Sequence, residues 1–224
     1  MNTAVWKSTD EVISAMNRVY GHMALAVITS MVVSFFVSTS PALMTFFFTG
    51  AMKWIVMFAP LIAILAISFN MHKVTYSTAQ FMLHGFAALM GLSFATIFVV
   101  YTTASIVTAF MGAAVLFATM SGYGYFTKKD LTSVGQFMFV GLIAIIIASI
   151  INIFIGSTVM QMVISALAVV IFLGLTAYDT QKIREIVSVG GDTRSQEVAG
   201  ALTLYLDFIN LFIALLQLFG GRRD

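Results

Sequence analysis

Seven stretches of about 20 mostly apolar residues follow one another along this chain, separated by short polar breaks. They cover residues 20–38, 52–70, 80–101, 104–126, 134–155, 159–180 and 197–219. That is the length a helix needs to cross a bilayer. The runs are continuous, without the period-two alternation of β-barrel strands. The chain is therefore expected to be an all-α membrane protein with seven transmembrane helices. Its composition is 60% hydrophobic and 9% charged, against about 25% charged in a soluble domain. No packed core hides that much apolar surface from water, so lipid is the solvent. Three parts are expected: a polar N-terminus at 1–19, one seven-helix transmembrane domain at 20–219, and a short C-terminal tail at 220–224.

The breaks between spans are legible. Ser40 and Pro41 stop the first, and His72, Lys73 and a Thr-Tyr-Ser-Thr run separate the second from the third. Thr102 and Thr103 mark a tight turn, Lys128, Lys129 and Asp130 another, and Gly156, Ser157 and Thr158 a third. Gly190, Gly191 and Asp192 centre the last. Lysine and arginine concentrate in loops on the cytoplasmic side of membrane proteins. A cytoplasmic N-terminus puts Lys7, Arg18, Lys73, Lys128, Lys129, Lys182, Arg184 and Arg194 inside, and Lys53, Arg222 and Arg223 outside. This predicts the N-terminus in the cytoplasm and, with seven spans, the C-terminus outside. Arg222 and Arg223 argue locally for the alternative, a last helix that re-enters. The first twenty residues carry Lys7, Asp10, Glu11 and Arg18, so the first apolar run reads as a retained anchor rather than a cleaved leader.

Several function classes are set aside early. A net charge of +2 is too small to suggest nucleic acid. With no cysteine there is no disulfide framework, thiolate metal site or thiol nucleophile. His22, His72 and His84 do not have metal-ligand spacing. No nucleotide loop or haem motif is present, so no cofactor is expected. The 15 methionines do not cluster as copper ligands and read as adaptable packing. Ala87, Gly91 and Ala95 recur at four-residue steps, a pattern that lets membrane helices approach closely.

Two acids lie inside the last two apolar runs: Asp179 in FLGLTAYDTQKI and Asp207 in ALTLYLDFINLFIALLQLFG. Carboxyls in hydrocarbon are rare, and they face a protein interior, a water cavity or a partner. If the sixth helix continues to about Val189 and the chain turns at Gly190-Gly191, Asp179 lies 12 residues before Gly191 and Asp207 lies 16 after it. At 1.5 Å per residue their depths differ by roughly 6 Å, which tilt can remove. The two are expected to be able to meet. Thr203, Asp207, Asn210, Ala214 and Gln217 share one face of the last helix. Such a polar stripe belongs against other helices or water. Asn210 can bond the carboxyl or a neighbouring backbone. Two carboxyls in contact cannot both ionise cheaply and tend to share one proton. A pair of this kind responds to pH.

The same residues carry a family likeness. GLTAYDTQKI and ALTLYLDFINLFIALLQLFG, with YTTAS at 101–105 and GYFTKKDL at 124–131, closely resemble the signature of the transmembrane Bax inhibitor motif family, in its bacterial inner-membrane branch. The resemblance implies seven helices with the last one central. It also implies a pH-sensitive calcium leak in which Asp179 and Asp207 form the sensing dyad. There are departures. The second helix has no acid between Met52 and Phe69, and its end carries His72 and Lys73. Gln217 stands where a basic residue is often found. His72 is a candidate substitute as a titrating partner.

Three readings of function follow. The first is a cation leak, for calcium, gated by protonation of the aspartate pair. Two carboxylates with Asn210, backbone carbonyls and water make a weak, transient calcium site, and weak binding suits conduction. Lipid, protons and the cation are then its partners. The second is a non-conducting regulator that binds another membrane protein or a protease in a stress response. The third is an intramembrane aspartyl hydrolase, which also uses paired aspartates. Tyr178-Asp179 fits its first motif, but the glycine-rich motif around the second acid is missing, and that segment has no Pro-Ala-Leu motif near its end. The chain is accordingly expected not to be an enzyme.

Overall fold

The computed structural model describes residues 6–70, 74–189 and 193–223. These residues form nine helices and no named strand. The helices are α1 (Thr9–Ser38), α2 (Pro41–Phe48), α3 (Met52–Asn70), α4 (Tyr76–Phe94), α5 (Ile97–Val100), α6 (Thr103–Phe126), α7 (Thr132–Ile155), α8 (Thr158–Ser188) and α9 (Arg194–Phe219). Hydrocarbon offers no hydrogen bonds, so the backbone must satisfy its own, and helices do so. Six spans are long and apolar enough to cross a membrane, or up to seven if α2 and α3 together make one. The chain is a multi-pass, all-α membrane protein.

Local chemistry sets the boundaries. Ser8 and Glu11 form a capping box, with the Glu11 carboxylate accepting from the Ser8 N–H at 2.8 Å. Helix α1 thus starts at Thr9, within the polar stretch 1–19. Ser40 caps α2, and Pro41 sits in its first turn, where a missing N–H does no harm. Thr75 and Thr102 cap α4 and α6. Gly156 ends α7 at φ +68°, a left-handed conformation that glycine adopts without penalty.

The second expected span, 52–70, is the single helix α3, with an extra short helix before it, and the third departs from a single helix. Residues 41–48 form a helix of their own, bent by 76° from the 52–68 segment. The third expected span breaks after Phe94, and Ile97–Val100 continues it as a separate turn. Helix α8 runs on to Ser188, beyond the expected apolar run, as a facing aspartate pair requires. The turn placed at Gly190, Gly191 and Asp192 lies outside the described residues.

The chain forms two compact units. The first comprises Met1–Tyr101, Ile186–Tyr205 and Arg223–Asp224. Within it α1 packs on α4. At Gly91 the Ser30 backbone comes so close that a Cβ would not fit. Ala87, Gly91 and Ala95 are all buried, which makes the small-residue stripe a packing surface. Tyr205 is fully buried in this unit, its hydroxyl 2.6 Å from Ser30 Oγ, and Ser30 Oγ donates to the Ala87 carbonyl at 2.7 Å.

The second unit comprises Thr102–Glu185 and Leu206–Arg222. Here Gly124 of α6 lies directly on the Ala177 backbone, and Gly135 of α7 lies on the Tyr178 ring. Phe208 of α9 makes edge contacts with Phe110 and Phe117 at 5.4 and 5.7 Å between ring centroids. Helix α9 is 72% buried along its apolar window, and the other five spans lie between 11% and 39%. The last span is thus the most buried of the six.

Candidate functional site

Asp179 on α8 and Asp207 on α9 come together in the second unit. The two carboxyl groups lie within interaction range of each other. Asp207 is 4% exposed and Asp179 is half-buried. Asp207 Oδ2 has no hydrogen-bond partner among the described residues. An ionised carboxylate only accepts hydrogen bonds, so two of them bond each other only when one is protonated. A shared proton also supplies what the buried oxygen lacks. Two carboxyls this close cannot both ionise cheaply, so the pair tends to hold one proton between them.

The segment of α8 carrying Asp179 is held on both sides of that residue. Ala177 meets Gly124, and Tyr178 packs on Gly135. Thr180 Oγ1 is 2.9 Å from Ser121 Oγ, both buried. Gln181 accepts from the Leu131 N–H at 2.9 Å and donates to the Lys129 carbonyl at 2.8 Å. Tyr178, expected to support the site, does so through its ring. Arg184 donates to the Tyr125 carbonyl and lies over that ring, rather than reaching straight outward. Lys182 pairs with Glu185 at 3.6 Å.

The polar stripe on α9 is real, but its members do different things. Asn210 Nδ2 donates to the Leu206 carbonyl of its own helix at 2.8 Å, not to the acid pair. Thr203 donates to the Ala199 carbonyl at 3.3 Å, also within its helix. Gln217 Oε1 accepts from Gln161 Nε2 at 2.9 Å and from Ser165 Oγ at 3.0 Å. Asn152 Nδ2 extends this cluster to Gln161 Oε1 at 3.4 Å. His72 lies outside the described residues. Among the described residues, no three of His, Asp or Glu gather as a metal-ligand set. A cation at the pair would draw its other ligands from neutral oxygens and water.

One charged feature escaped the sequence reading. Glu197, 1% exposed at the start of α9, receives a two-pronged bond from Arg18 of α1 in the first unit. Arg18 Nε donates to Oε2 at 2.7 Å and Nη2 to Oε1 at 2.8 Å. Thr193 donates to the same carboxylate at 3.2 Å and itself receives Lys7 Nζ at 2.6 Å. The available signal was a lone acid ten residues before Asp207 on one helix. Asp130, in the α6–α7 turn, is exposed. Hydrogen bonds from Thr132 hold its carboxyl below the usual carboxylate range.

Residues 12–224 match the sequence profile of the family described as Inhibitor of apoptosis-promoting Bax1. The chain is 37% identical over 214 residues to the inner membrane protein YbhL of Escherichia coli (strain K12), covering 93% of this chain and 92% of that one. It is 39% identical over 213 residues to a protein of Rickettsia prowazekii (strain Madrid E), covering 93% and 90%. It is also 45% identical over 141 residues to a membrane protein of Streptococcus pyogenes serotype M3, covering 62% and 61%.

Proposed function

The chain belongs to the Bax inhibitor family, and from that premise we propose that it is a pH-sensitive cation leak of the bacterial inner membrane, with calcium as its ion. Protonation of Asp179 and Asp207 is its gate. The N-terminus faces the cytoplasm. The observation that carries the reading is the acid pair itself: two carboxyls in contact between apolar helices, with one buried oxygen lacking a donor. Holding one proton, the pair carries a single negative charge, and a hydrogen bond joins α8 to α9. Without the proton, two negative charges face each other in a poorly solvated place, and they repel or take up a cation. Proton and calcium thus compete for one position. Calcium occupancy falls as pH falls, because a ligand must be deprotonated to bind.

Two carboxylates alone make a weak calcium site, since calcium prefers six to eight oxygens. Weakness is suited to a leak, where an ion must depart as readily as it arrives. The inner-membrane location follows the name borne by the Escherichia coli relative. The chain is proposed to be a conductor rather than an enzyme.

The test is calcium flux into dye-loaded liposomes holding the purified protein, from about pH 6 to 8. Asp179→Asn and Asp207→Asn are run alongside. The expected result is flux that changes with pH in the native protein and loses that dependence in both variants. Absence of flux at every pH would overturn conduction and leave the pair as a buried hydrogen bond between helices.

A further inference from the structure

The first unit contains a second group of titratable side chains, built from α1, α4 and α9. His22 of α1 is 9% exposed. Its Nε2 lies 3.2 Å from the Tyr76 hydroxyl of α4, and the two rings meet edge to face at 5.9 Å. Its Nδ1 is buried with no hydrogen-bond partner among the described residues. Arg18, one turn earlier on α1, Glu197 of α9 and His84 of α4 are within electrostatic range of the ring. His84 is itself engaged, its Nδ1 3.2 Å from Thr29 Oγ1. Arg194 of α9 lies over the Tyr76 ring at 5.7 Å, and Lys7 reaches Thr193 beside Glu197. Helices α2 and α5 carry no ionisable residue, and α3 carries Lys53 alone, in its first turn.

The geometry points to His22 as a second proton-binding site of this protein, one that sets how firmly Arg18 holds Glu197. Histidine is the side chain whose ordinary titration falls between pH 5 and 8. Its Nε2 faces the Tyr76 hydroxyl and its Nδ1 has no partner among the described residues, so Nδ1 is the nitrogen open to a second proton. A proton on that nitrogen makes the ring a cation. The cation attracts the Glu197 carboxylate and repels the Arg18 guanidinium. The carboxylate then feels a second cation while Arg18 is repelled, and the two-pronged Arg18 bond loosens. The sign is fixed by charge: acidification weakens the tie between α1 and the start of α9. This site is in the first unit and does not depend on the aspartate pair.

The test uses the full chain in lipid nanodiscs, in an Asp207→Asn background that removes the response of the acid pair. The sequence has three histidines and no cysteine, which makes it well suited to labelling. Nuclear magnetic resonance of ring-labelled histidine follows His22 from about pH 5 to 8, its signal assigned by its loss in His22→Gln. Nitroxide labels on cysteines placed at the exposed Asn17 and Gln196 report the distance between α1 and α9. The expected result is one titration step for His22, with a broadening of the label distances on acidification at the same midpoint. The broadening disappears in His22→Gln. His22→Asn serves as the second variant if the glutamine form does not fold. A His22 signal that does not titrate in this range overturns the proposal. So does a titration that leaves the label distances unchanged.

Discussion

Helix α9 carries two buried carboxylates, and the protein treats them in opposite ways. Glu197, in the first unit, is matched by a guanidinium in two-pronged geometry and by a threonine hydroxyl. Asp207, in the second unit, is matched by another acid, and one of its oxygens has no donor. The first arrangement balances charge with fixed groups, so it is complete before any proton arrives, and the proton proposed at His22 would only loosen it. The second is incomplete until a proton or a cation arrives. A buried ion pair of the first kind fixes structure, and an acid pair of the second kind makes a site. The difference teaches that burial of a carboxylate does not by itself signal chemistry. What signals it is a partner that leaves the charge balance open.

The contrast can be broken or sharpened by substitution. Arg18→Met should have the largest effect. It strands a carboxylate that is 1% exposed, and since the Arg18 side chain is 44% exposed, the loss falls at the low end for a broken buried pair, about 3 kcal/mol. Thermal unfolding in detergent reads it, and an unchanged midpoint would show that Glu197 does not need its partner. Gly124→Ala comes next, because a Cβ there meets the Ala177 backbone, which cannot step aside. Overpacking of this kind should remove about 1–3 kcal/mol, and the calcium flux of the folded fraction should fall with it. Asp207→Asn should change stability by about 1 kcal/mol or less, since an amide can donate to Asp179. It should nonetheless abolish the pH dependence of calcium flux. Equal destabilisation by Asp207→Asn and Arg18→Met would erase the distinction between the two carboxylates.

The smallest effect is expected at Asp130. Its carboxyl is held below the ordinary carboxylate value by hydrogen bonds from Thr132. A lowered value in the folded protein means stability that is present above about pH 4 and lost only as pH falls further. Asp130→Asn should therefore leave the flux profile between about pH 6 and 8 unchanged. A shifted profile would assign part of the gating to the α6–α7 turn.

Much of this was legible in the sequence because hydrocarbon is an unforgiving solvent. A carboxylate there is conspicuous, so Asp179 and Asp207 stood out, and helical rise put them at similar depth. Their contact in the structure follows that arithmetic. The same reasoning passed over Arg18 and Glu197. Arg18 falls in the polar stretch expected before the first span and Glu197 at the start of α9, where charge is ordinary and carries no alarm, and residues 179 positions apart give no local pattern. Helix α2 was missed for a different reason, since eight apolar residues are too few to span and read as loop. The polar stripe on α9 was read correctly as a face and only partly as chemistry. Asn210 faces its own backbone, and Gln217 belongs to an amide cluster with Gln161 and Ser165.

The close seating of α8 has a consequence for how such a gate works. Positions 177, 178, 180 and 181 are each anchored to α6, α7 or the turn between them, by contacts at backbone or near-backbone level. Asp179 is in the middle of that row and behaves as the stator of the device. Charge appearing at the pair cannot easily push this part of α8 away. On the proposed gating, the response would then fall to the side of the pair that carries Asp207, where Phe208 meets Phe110 and Phe117 by ring edges. The asymmetry of the two mountings would decide which helix answers the proton.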